Sequence, residues 1–346
     1  MLMNPETIRQ LPKIVSKYRM PHYGKAIRQI ITSFVPFLII RSVMYYSMSI
    51  SYRLVIPLAI INAFFLVRIF IIQHDCGHQS FTSSTVLNNF IGRCCSMLTR
   101  IPYTYRAKSH NFHHNHNSKL RKHRDIGDIH TYTVQEYSQL SRFRKLIYRI
   151  FRSAPVMFGL GPAWYVIVQG RLPLVWITGR SKERRSLIRS NLVLAVIYGT
   201  IRFALGWQAL VFIQLPVLLC FGTIAIRFFY VQHQHELTYK AREGKRDYVT
   251  AAIQGSSYYD LPGRMHWLTG NIGYHHIHHL NASIPSYQLP RCFRENTILK
   301  DLANRLTFTQ SLSSIFNHLW DEQQQKMISF RMYRTLYKPH QHKQHC

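Results

Sequence analysis

Acidic residues are scarce in this chain of 346 residues, with 14 aspartates and glutamates against 44 lysines and arginines, and a formal net charge of +30. Such a composition is typical of proteins that bind nucleic acid and of membrane proteins with basic cytoplasmic loops. No RNA- or DNA-binding motif interrupts the basic segments. Long apolar runs are present, and only 17% of the residues are charged. The composition therefore favours a membrane protein and argues against nucleic acid as a partner.

The sequence signatures of several common enzyme classes are also missing. The six cysteines have no CxxC spacing, which argues against a disulfide framework and an iron–sulfur cluster. There is no phosphate-binding glycine loop, no Ser-His-Asp pattern and no His-Pro-Gly-Gly haem segment. The first 28 residues are polar and basic without the apolar core of a signal peptide. Hydrolase and nucleotide-dependent activities have no support, and we expect neither haem nor flavin in this chain.

Histidine, in contrast, is abundant, with 20 residues that concentrate in three clusters. Residues at i, i+3 and i+4 share one face of a helix, so each cluster can direct its rings at one point. One zinc ion takes four ligands and often uses cysteine, whereas neutral imidazole also suits iron. Two metal ions are the simpler fit, and a solvated histidine face or a structural zinc site are the alternatives. The clustered histidines are His74, His78, His110, His113, His114, His275, His278 and His279.

Apolar segments at about 30–50, 54–72, 191–205 and 209–230 are predicted to cross the membrane as two helical hairpins. Arg41 lies inside the first segment, where it either extends to the interface or faces a neighbouring helix. The segment at about 156–168 is short for a crossing, and we expect it to be interfacial. Four crossings and the basic loops place both termini and every histidine cluster on the cytoplasmic side.

Several motifs resemble the membrane-bound histidine-box fatty acid desaturases, closest to the bacterial and plastid Δ12 (omega-6) acyl desaturases. The resemblance covers about residues 30–295. It includes the three histidine clusters in this order, and shorter stretches at Gly127-Asp128-Ile129, Phe158-Gly159-Leu160-Gly161-Pro162, Tyr230-Val231-Gln232-His233-Gln234 and Ile284-Pro285-Ser286.

The resemblance implies an all-α integral membrane protein, with four transmembrane helices as two hairpins and a cytosolic helical cap that carries a non-haem di-iron site. Residues 1–29 would form a cytosolic basic segment, residues 30–295 the desaturase domain and residues 296–346 a cytosolic basic tail. The clustered histidines match the ligands of this family. A ninth ligand is expected just after the fourth span, where His233 is favoured and His235 is its competitor.

Other polar residues near the clusters have expected supporting roles. Asp75, Asp128 and Glu236 are candidates for carboxylates that orient the ligand rings, since ligating imidazoles usually donate their second N–H. For Asp75 a plain helix-end role is the alternative. Roles other than metal ligation are expected for His116 and His276, and a structural role for His266.

The implied activity is an O2-dependent desaturation that inserts a cis double bond into an acyl chain, with Δ12 as the expected position. The substrate would be a membrane lipid or an acyl-CoA, the cofactors two Fe ions, and the electron donor a ferredoxin or a cytochrome b5. An unactivated alkyl carbon requires such an oxidant, because no side chain can remove its protons. The rivals are a di-iron lipid hydroxylase, a carotenoid ketolase or hydroxylase and, more remotely, a membrane metal-binding or transport protein. The compact chain favours a multi-pass protein of the bacterial inner membrane.

Overall fold

Helices make up most of the protein in the computed structural model, which describes residues 5–120, 128–172, 180–242 and 244–337. Short 3-10 turns lie at Ser16–Arg19, Gln169–Arg171 and Ser314–Phe316, and π-helical turns at Val156–Leu160 and Ala209–Gln214. The α-helices of the described residues are α1 Pro5–Val15, α2 Tyr23–Ile50, α3 Tyr52–Gly77, α4 Thr85–Thr99, α5 Tyr103–His116, α6 Val134–Ser138, α7 Arg142–Phe151, α8 Gly161–Ile167, α9 Arg180–Gln208, α10 Leu215–His233, α11 Tyr248–Ile253, α12 Gly263–Leu268, α13 His275–Leu280, α14 Leu289–Glu295, α15 Thr297–Leu302, α16 Phe308–Ser313 and α17 Phe330–Tyr337.

The expectation of an all-α protein was wrong in one respect, because the described residues also form three two-stranded sheets. The strands are β1 Lys119–Leu120, β2 Ala241–Arg242, β3 Ser257–Asp260, β4 Asn304–Thr307, β5 Leu319–Asp321 and β6 Lys326–Ile328. β1 pairs with β2 and β3 with β4 in parallel, while β5 and β6 are antiparallel. Strands of two to four residues are too short to show an alternating pattern, which is why the sequence did not predict them.

Helices α2 and α3 form the first predicted hairpin and are longer than predicted. They reverse at Ser51, whose extended backbone ends α2 and whose side chain caps α3 by accepting a hydrogen bond from the Arg53 amide. Both helices are long and apolar enough to cross a membrane. They extend beyond the predicted segments because Tyr23–Gln29 and Gln73–Gly77 continue the helix past the apolar run.

Two arginines lie inside this hairpin with their charges partnered. Arg41 faces its neighbours, since its guanidinium contacts Gln214 and lies 3.2 Å from Asn62 Oδ1. Arg68 is buried in α3 and donates to Ser33 Oγ at 3.1 Å while its guanidinium lies over the ring of Trp267. Buried charges need such partners, and here they tie α3 to α2 and to α12.

The second predicted hairpin is one helical stretch with a break. Three stretches of the described residues could cross a membrane by length and composition, and the third, Glu183–His233, contains both predicted segments. A straight helix of that length would measure about 77 Å, more than twice the hydrocarbon thickness. The stretch instead turns at Gly206, with φ 80° and ψ 169°, and Gln214 Nε2 donates to the Tyr198 hydroxyl at 2.9 Å. The stretch therefore folds back on itself.

The remaining described segments pack around the ends of α3 and α10. The segment expected to be interfacial forms the π-helical turn Val156–Leu160 and α8, and it packs against α10 through a hydrogen bond from Thr223 Oγ1 to the Phe158 carbonyl at 2.9 Å. Beyond residue 295, β4 pairs with β3 and α17 packs on α6 and α7 around Tyr137. The last residues of the expected basic tail, 338–346, and Gly127 lie outside the described residues.

Candidate metal centre

Four helix ends bring the predicted histidines together. His74 lies in the last turn of α3 and His78 at its C-cap, while the second cluster lies on α5 and the third on α13. His233 is the last residue of α10. Helix α13 is short but held by a buried apolar cluster that includes Ile277, Leu280 and Ile284. Because each cluster lies on a helix, its rings share one face, as the spacing predicts.

The first group of rings joins all three clusters. His74, His78, His110, His114 and His278 each offer a nitrogen, and these nitrogens lie within 4.8 Å of one another. The Nε2 atoms of His74 and His110 are 2.7 Å apart, those of His110 and His114 are 3.1 Å apart, and those of His114 and His278 are 3.0 Å apart. The Nε2 atom of His78 is buried and has no hydrogen-bond partner among the described residues.

The second group lies beside the first. His113, His233 and His279 meet the same 4.8 Å criterion. The Nε2 atom of His233 is 3.3 Å from that of His113 and 2.9 Å from that of His275, which is in turn 3.1 Å from that of His279. His275 is therefore the fourth ring of this group. The structure brings together all nine of the histidines that the sequence singled out.

These contacts cannot all be hydrogen bonds between neutral rings. A neutral imidazole nitrogen carries either one hydrogen or one lone pair, so each Nε2 takes part in one such bond. In each group four Nε2 atoms form a chain of three contacts, and hydrogen bonds can satisfy at most two of them. A cation at the centre accepts every lone pair at once. Ligand nitrogens at about 2.1 Å from a metal lie about 3.0–3.4 Å apart. Four of the six observed distances lie in this range, and the other two, 2.7 Å and 2.9 Å, are slightly shorter.

Burial keeps these rings neutral and ready to bind metal. The pKa values of His78, His110, His113, His114, His275, His278 and His279 lie well below the ordinary range, chiefly because burial disfavours the charged imidazolium. The Arg106 guanidinium lowers the pKa of His110 further, and neighbouring rings lower the others. A buried site that is rich in neutral nitrogen and poor in carboxylate suits a transition metal rather than calcium or magnesium.

Groups outside the two clusters hold some of the rings in place. Asp75 is buried, with Oδ1 at 3.2 Å from His74 Nδ1 and Oδ2 accepting a 2.6 Å hydrogen bond from the Ser286 amide. His233 Nδ1 lies 3.2 Å from the Gly255 carbonyl, and the Asn117 amide lies 3.5 Å from His279 Nδ1. At His74 and His233 the Nδ1 atom faces an oxygen and donates to it, which fixes the tautomer and leaves the Nε2 lone pair directed at the site.

The other predicted residues lie outside the groups. His235 is buried two residues beyond His233 with its ring in neither group. His116 stacks on Phe112, His276 is buried beside Tyr258 and Phe293, and His266 stacks on Tyr274. Asp128 is partly exposed and accepts a hydrogen bond from the Ile129 amide. Glu236 is exposed, and its carboxylate lies 3.7 Å from Lys326 Nζ.

Sequence reasoning missed several partners of the rings. Asn117 lies three residues after the second cluster and has a short polar side chain. Its position next to the cluster was a signal in the sequence that could have identified it. Ser286 lies in the stretch Ile284-Pro285-Ser286, but it acts through its backbone amide. Gly255 likewise acts through its carbonyl. Backbone groups are common to every residue, so no residue type marks them.

Clustered imidazoles that could hold metal, together with helices long and apolar enough to cross a membrane, are the features that define this class of protein. The family model described as "Fatty acid desaturase" matches residues 51–306, a range that contains all three clusters and His233. The chain belongs to the fatty acid desaturase family, and it is therefore an oxidoreductase.

Individual relatives agree with this assignment. The chain is 39% identical over 323 residues to a "Fatty acid desaturase" of Bacillus subtilis (strain 168), covering 93% of this chain and 91% of the relative. It is 28% identical over 250 residues to an "sn-1 oleoyl-lipid 12-desaturase" of Picosynechococcus sp., covering 69% and 68%. It is 26% identical over 251 residues to an "sn-1 acyl-lipid omega-3 desaturase (ferredoxin)" of Synechocystis sp., covering 64% and 62%.

Proposed function

We propose that this protein is a membrane acyl-lipid desaturase that binds two iron ions through nine histidines and inserts a cis double bond at the Δ12 position. The observation that carries the proposal is the two chains of Nε2 contacts, which neutral hydrogen bonding cannot satisfy. The first ion would be held by His74, His78, His110, His114 and His278, and the second by His113, His233, His275 and His279.

Two iron ions held by these histidines would supply an oxidant, made from O2 and two electrons, that is strong enough to remove hydrogen from an unactivated alkyl carbon. Overall, one CH2–CH2 unit, O2, two electrons and two protons give one CH=CH unit and two waters. The chain holds the ions in place with neutral rings. Asp75 and the Gly255 carbonyl keep the rings of His74 and His233 in one tautomer. Six of the nine histidines, His110, His113, His233, His275, His278 and His279, are buried, which limits the access of bulk water to the site.

The Δ12 position has its support in relatives whose names state it. Those relatives are 22–28% identical to this chain, whereas the name of the Bacillus subtilis relative, 39% identical over 323 residues, states no position.

The names of the relatives also support the proposed substrate and electron donor. The cyanobacterial relatives are named as acting on acyl lipids, and one of them is named for ferredoxin. We therefore propose an external ferredoxin as the donor, with a cytochrome b5 as the alternative, and O2 as co-substrate.

For the cellular arrangement, we propose four crossings by α2, α3 and the two limbs of Glu183–His233, with the metal centre on the cytoplasmic side of a bacterial inner membrane. The basic segments support this orientation, because lysine and arginine concentrate in cytoplasmic loops. We keep residues 30–295 as the catalytic domain, between a basic N-terminal segment and a basic C-terminal tail. We keep Asp128 and Glu236 as proposed carboxylates that help to orient the ligand rings.

The test is the fatty acid profile of a bacterial host whose membrane lipids contain mono-unsaturated chains, and which expresses this chain with a ferredoxin. The control is His275→Ala, which removes one proposed ligand. Gas chromatography with mass spectrometry should show a diene that the control lacks, and derivatisation should place the new bond at Δ12. A new bond elsewhere would confirm a desaturase and refute the position.

Rival activities give different products in the same experiment. A lipid hydroxylase would yield hydroxy fatty acids, and a carotenoid ketolase or hydroxylase would leave the fatty acids unchanged. Purified protein should contain about two irons per chain, since two groups of ligands are present. Zinc as the sole metal, with an unchanged fatty acid profile, would point instead to a metal-binding or transport protein.

A further inference from the structure

Arg152 is a buried cation that does not belong to the metal-binding groups. It follows α7 as its C-cap residue, and only 1% of its surface is exposed. Its guanidinium lies within 3.5 Å of five neutral oxygen acceptors: the carbonyls of His130 and Asn317, the hydroxyls of Thr131 and Tyr230, and Gln234 Oε1. Among the described residues no carboxylate forms an ion pair with Arg152. Burying a charge is costly unless hydrogen bonds compensate it, so these contacts strongly constrain the residues that make them.

Two of the acceptors lie at the end of α10, on either side of a predicted ligand. The Tyr230 hydroxyl and Gln234 Oε1 lie 3.0 Å and 3.1 Å from the same guanidinium nitrogen. These residues are four apart and share one helix face, and the Gln234 amide donates to the Tyr230 carbonyl at 2.7 Å, which closes the turn. His233 lies between them, and its Nε2 atom is 2.9 Å from that of His275. Arg152 therefore holds the turn that carries His233.

Further hydrogen bonds fasten the same turn to two loops. The Tyr230 hydroxyl donates to the Asn317 carbonyl at 2.8 Å, and Asn317 Nδ2 donates to the Gln234 carbonyl at 2.9 Å. Thr131 Oγ1 donates to Gln234 Oε1 at 3.0 Å. Arg152 contacts every member of this network, and Thr131, Tyr230 and Gln234 are each at most 2% exposed. A buried network whose members bond to one another rigidifies the segments that it joins.

The second ring group depends more on such support than the first. It contains four rings, whereas the first contains five. In the first group the Asp75 carboxylate lies 3.2 Å from His74 Nδ1, but no carboxylate of the described residues contacts a ring of the second group. The Nδ1 atom of His233 faces the Gly255 carbonyl at 3.2 Å. The position of His233 is therefore set chiefly by the end of α10.

We infer that Arg152 is a positioning residue for the second metal site. It fixes the end of α10 so that His233 Nε2 meets the ion together with His113, His275 and His279. The inference rests on the proposed iron centre and adds a residue that contacts the turn of His233 rather than a ligand ring. Metal sites need their ligands within about 0.5 Å of the productive geometry. A small shift at the end of α10 would therefore loosen the second ion and leave the first unchanged.

Four variants separate positioning from general stability. Arg152→Met keeps an unbranched side chain and removes every donor of the guanidinium. Arg68→Met is the matched control, because Arg68 is also buried, at 3% exposed, and contacts Ser33 and Trp267, neither of which adjoins a ligand in the chain. Tyr230→Phe removes one hydroxyl of the network, and Arg152→Lys keeps the charge.

Metal binding is measured on the full-length protein in micelles of an uncharged detergent. Metal-free protein is titrated without oxygen with iron(II) and, separately, with cobalt(II), whose visible absorption depends on the geometry of its ligands. Dialysis against a series of chelator concentrations gives the affinity of each ion. The midpoint of thermal unfolding of the metal-free protein shows how far each substitution disturbs the fold.

We expect Arg152→Met to bind the first ion like the wild type and the second about 10- to 100-fold more weakly, as is usual when a group that orients a ligand is lost. Tyr230→Phe should weaken the second ion about fivefold, because one hydrogen bond is lost. Arg152→Lys should lie between the wild type and Arg152→Met, since an ammonium group reaches fewer of the acceptors. Arg68→Met should bind both ions like the wild type, even where its unfolding midpoint falls as far.

Equal metal binding by Arg152→Met and Arg68→Met would overturn the inference, and so would a wild type that binds fewer than two ions. If Arg152→Met does not fold, Tyr230→Phe decides, and an unchanged second affinity in that variant would refute the role of Arg152.

Cobalt binding separates this inference from the proposed function. If the wild type binds two cobalt ions and Arg152→Met binds only one of them tightly, but the wild type forms no double bond, the desaturase proposal fails and the role of Arg152 holds. If the wild type desaturates lipids and Arg152→Met holds both ions as tightly, the role of Arg152 fails and the function holds.

Discussion

At the residue scale, His233 and His235 occupy different surroundings although one residue separates them. His233 Nε2 lies 2.9 Å from His275 Nε2, whereas the His235 ring belongs to neither group. We expect His233→Ala to lose about half of the bound iron, since one of two ions would lack a ligand, and His235→Ala to retain nearly all of it. Elemental analysis of the purified variants checks this. An equal loss of iron from His235→Ala would contradict the choice between the two rings.

Asp75 has a testable role of its own. Its two carboxylate oxygens contact His74 Nδ1 and the backbone N–H of Ser286. Asp75→Asn would replace one of these oxygens by an NH2 group, which cannot accept a hydrogen bond, while keeping the size of the side chain. We expect Asp75→Asn to weaken metal binding about 10- to 100-fold, as is usual when a partner of a ligating histidine is lost.

Ser286→Ala is the matched control for Asp75→Asn. It keeps the backbone amide that Asp75 accepts from and the contact of Asp75 with His74, and it removes a hydroxyl that contacts Gln29 and Asp75. Both variants would be dialysed against a series of chelator concentrations and their retained iron measured. If Asp75→Asn released iron no more readily than Ser286→Ala, Asp75 would be a helix-end residue without influence on the metal.

At the element scale, the break at Gly206 is a backbone requirement. With φ 80° and ψ 169°, this residue lies in a region that is essentially restricted to glycine. We expect Gly206→Ala to destabilise the protein by about 1–3 kcal/mol. Gly199→Ala is the control in the same helix, because a Cβ there meets no atom within 4 Å. It should be neutral or stabilising by up to about 1 kcal/mol, since alanine favours the helix.

Chemical denaturation of both glycine variants in one detergent would compare their stabilities. A loss of stability in Gly199→Ala equal to that in Gly206→Ala would show that close packing of the helix, rather than the turn, explains the effect. An unaffected Gly206→Ala would show that the turn can form without the left-handed backbone. Either result would remove the structural reason for the fold-back at this position.

The histidine-bearing helices were predictable from the sequence and the sheets were not. The cluster on α5 depends on spacing within five residues, and helix geometry alone brings such rings to one face. β1 and β2 depend instead on a contact between Lys119 and Ala241, which are far apart in the chain and carry no pairing signal. The buried position of Arg68 could not be predicted from the sequence either, because its partners Ser33 and Trp267 belong to other helices.

At the scale of the whole molecule, the convergence of α3 and α10 constrains the number of crossings. Both helices end at the metal centre, at His74 and His233. Helix α9 begins near α5, as the pair Lys108–Glu183 shows, and therefore on the same side. The turn of the second hairpin lies beside that of the first, because the rings of Tyr52 and Phe212 are 5.1 Å apart. Glu183 and His233 therefore lie on the same side, so any crossings of the membrane between them must be even in number.

Cysteine labelling in intact cells tests this arrangement. In a background without the native cysteines, Ser51→Cys and Trp207→Cys should react with a membrane-impermeant maleimide from outside, because both residues lie at the turns opposite the metal centre. Ser141→Cys, at the exposed start of α7, should react only after the membrane is permeabilised. If Trp207→Cys also required permeabilisation while Ser51→Cys did not, the second hairpin would not cross. His233 would then reach the site from a helix lying on the membrane surface, and the proposal of four crossings would fail.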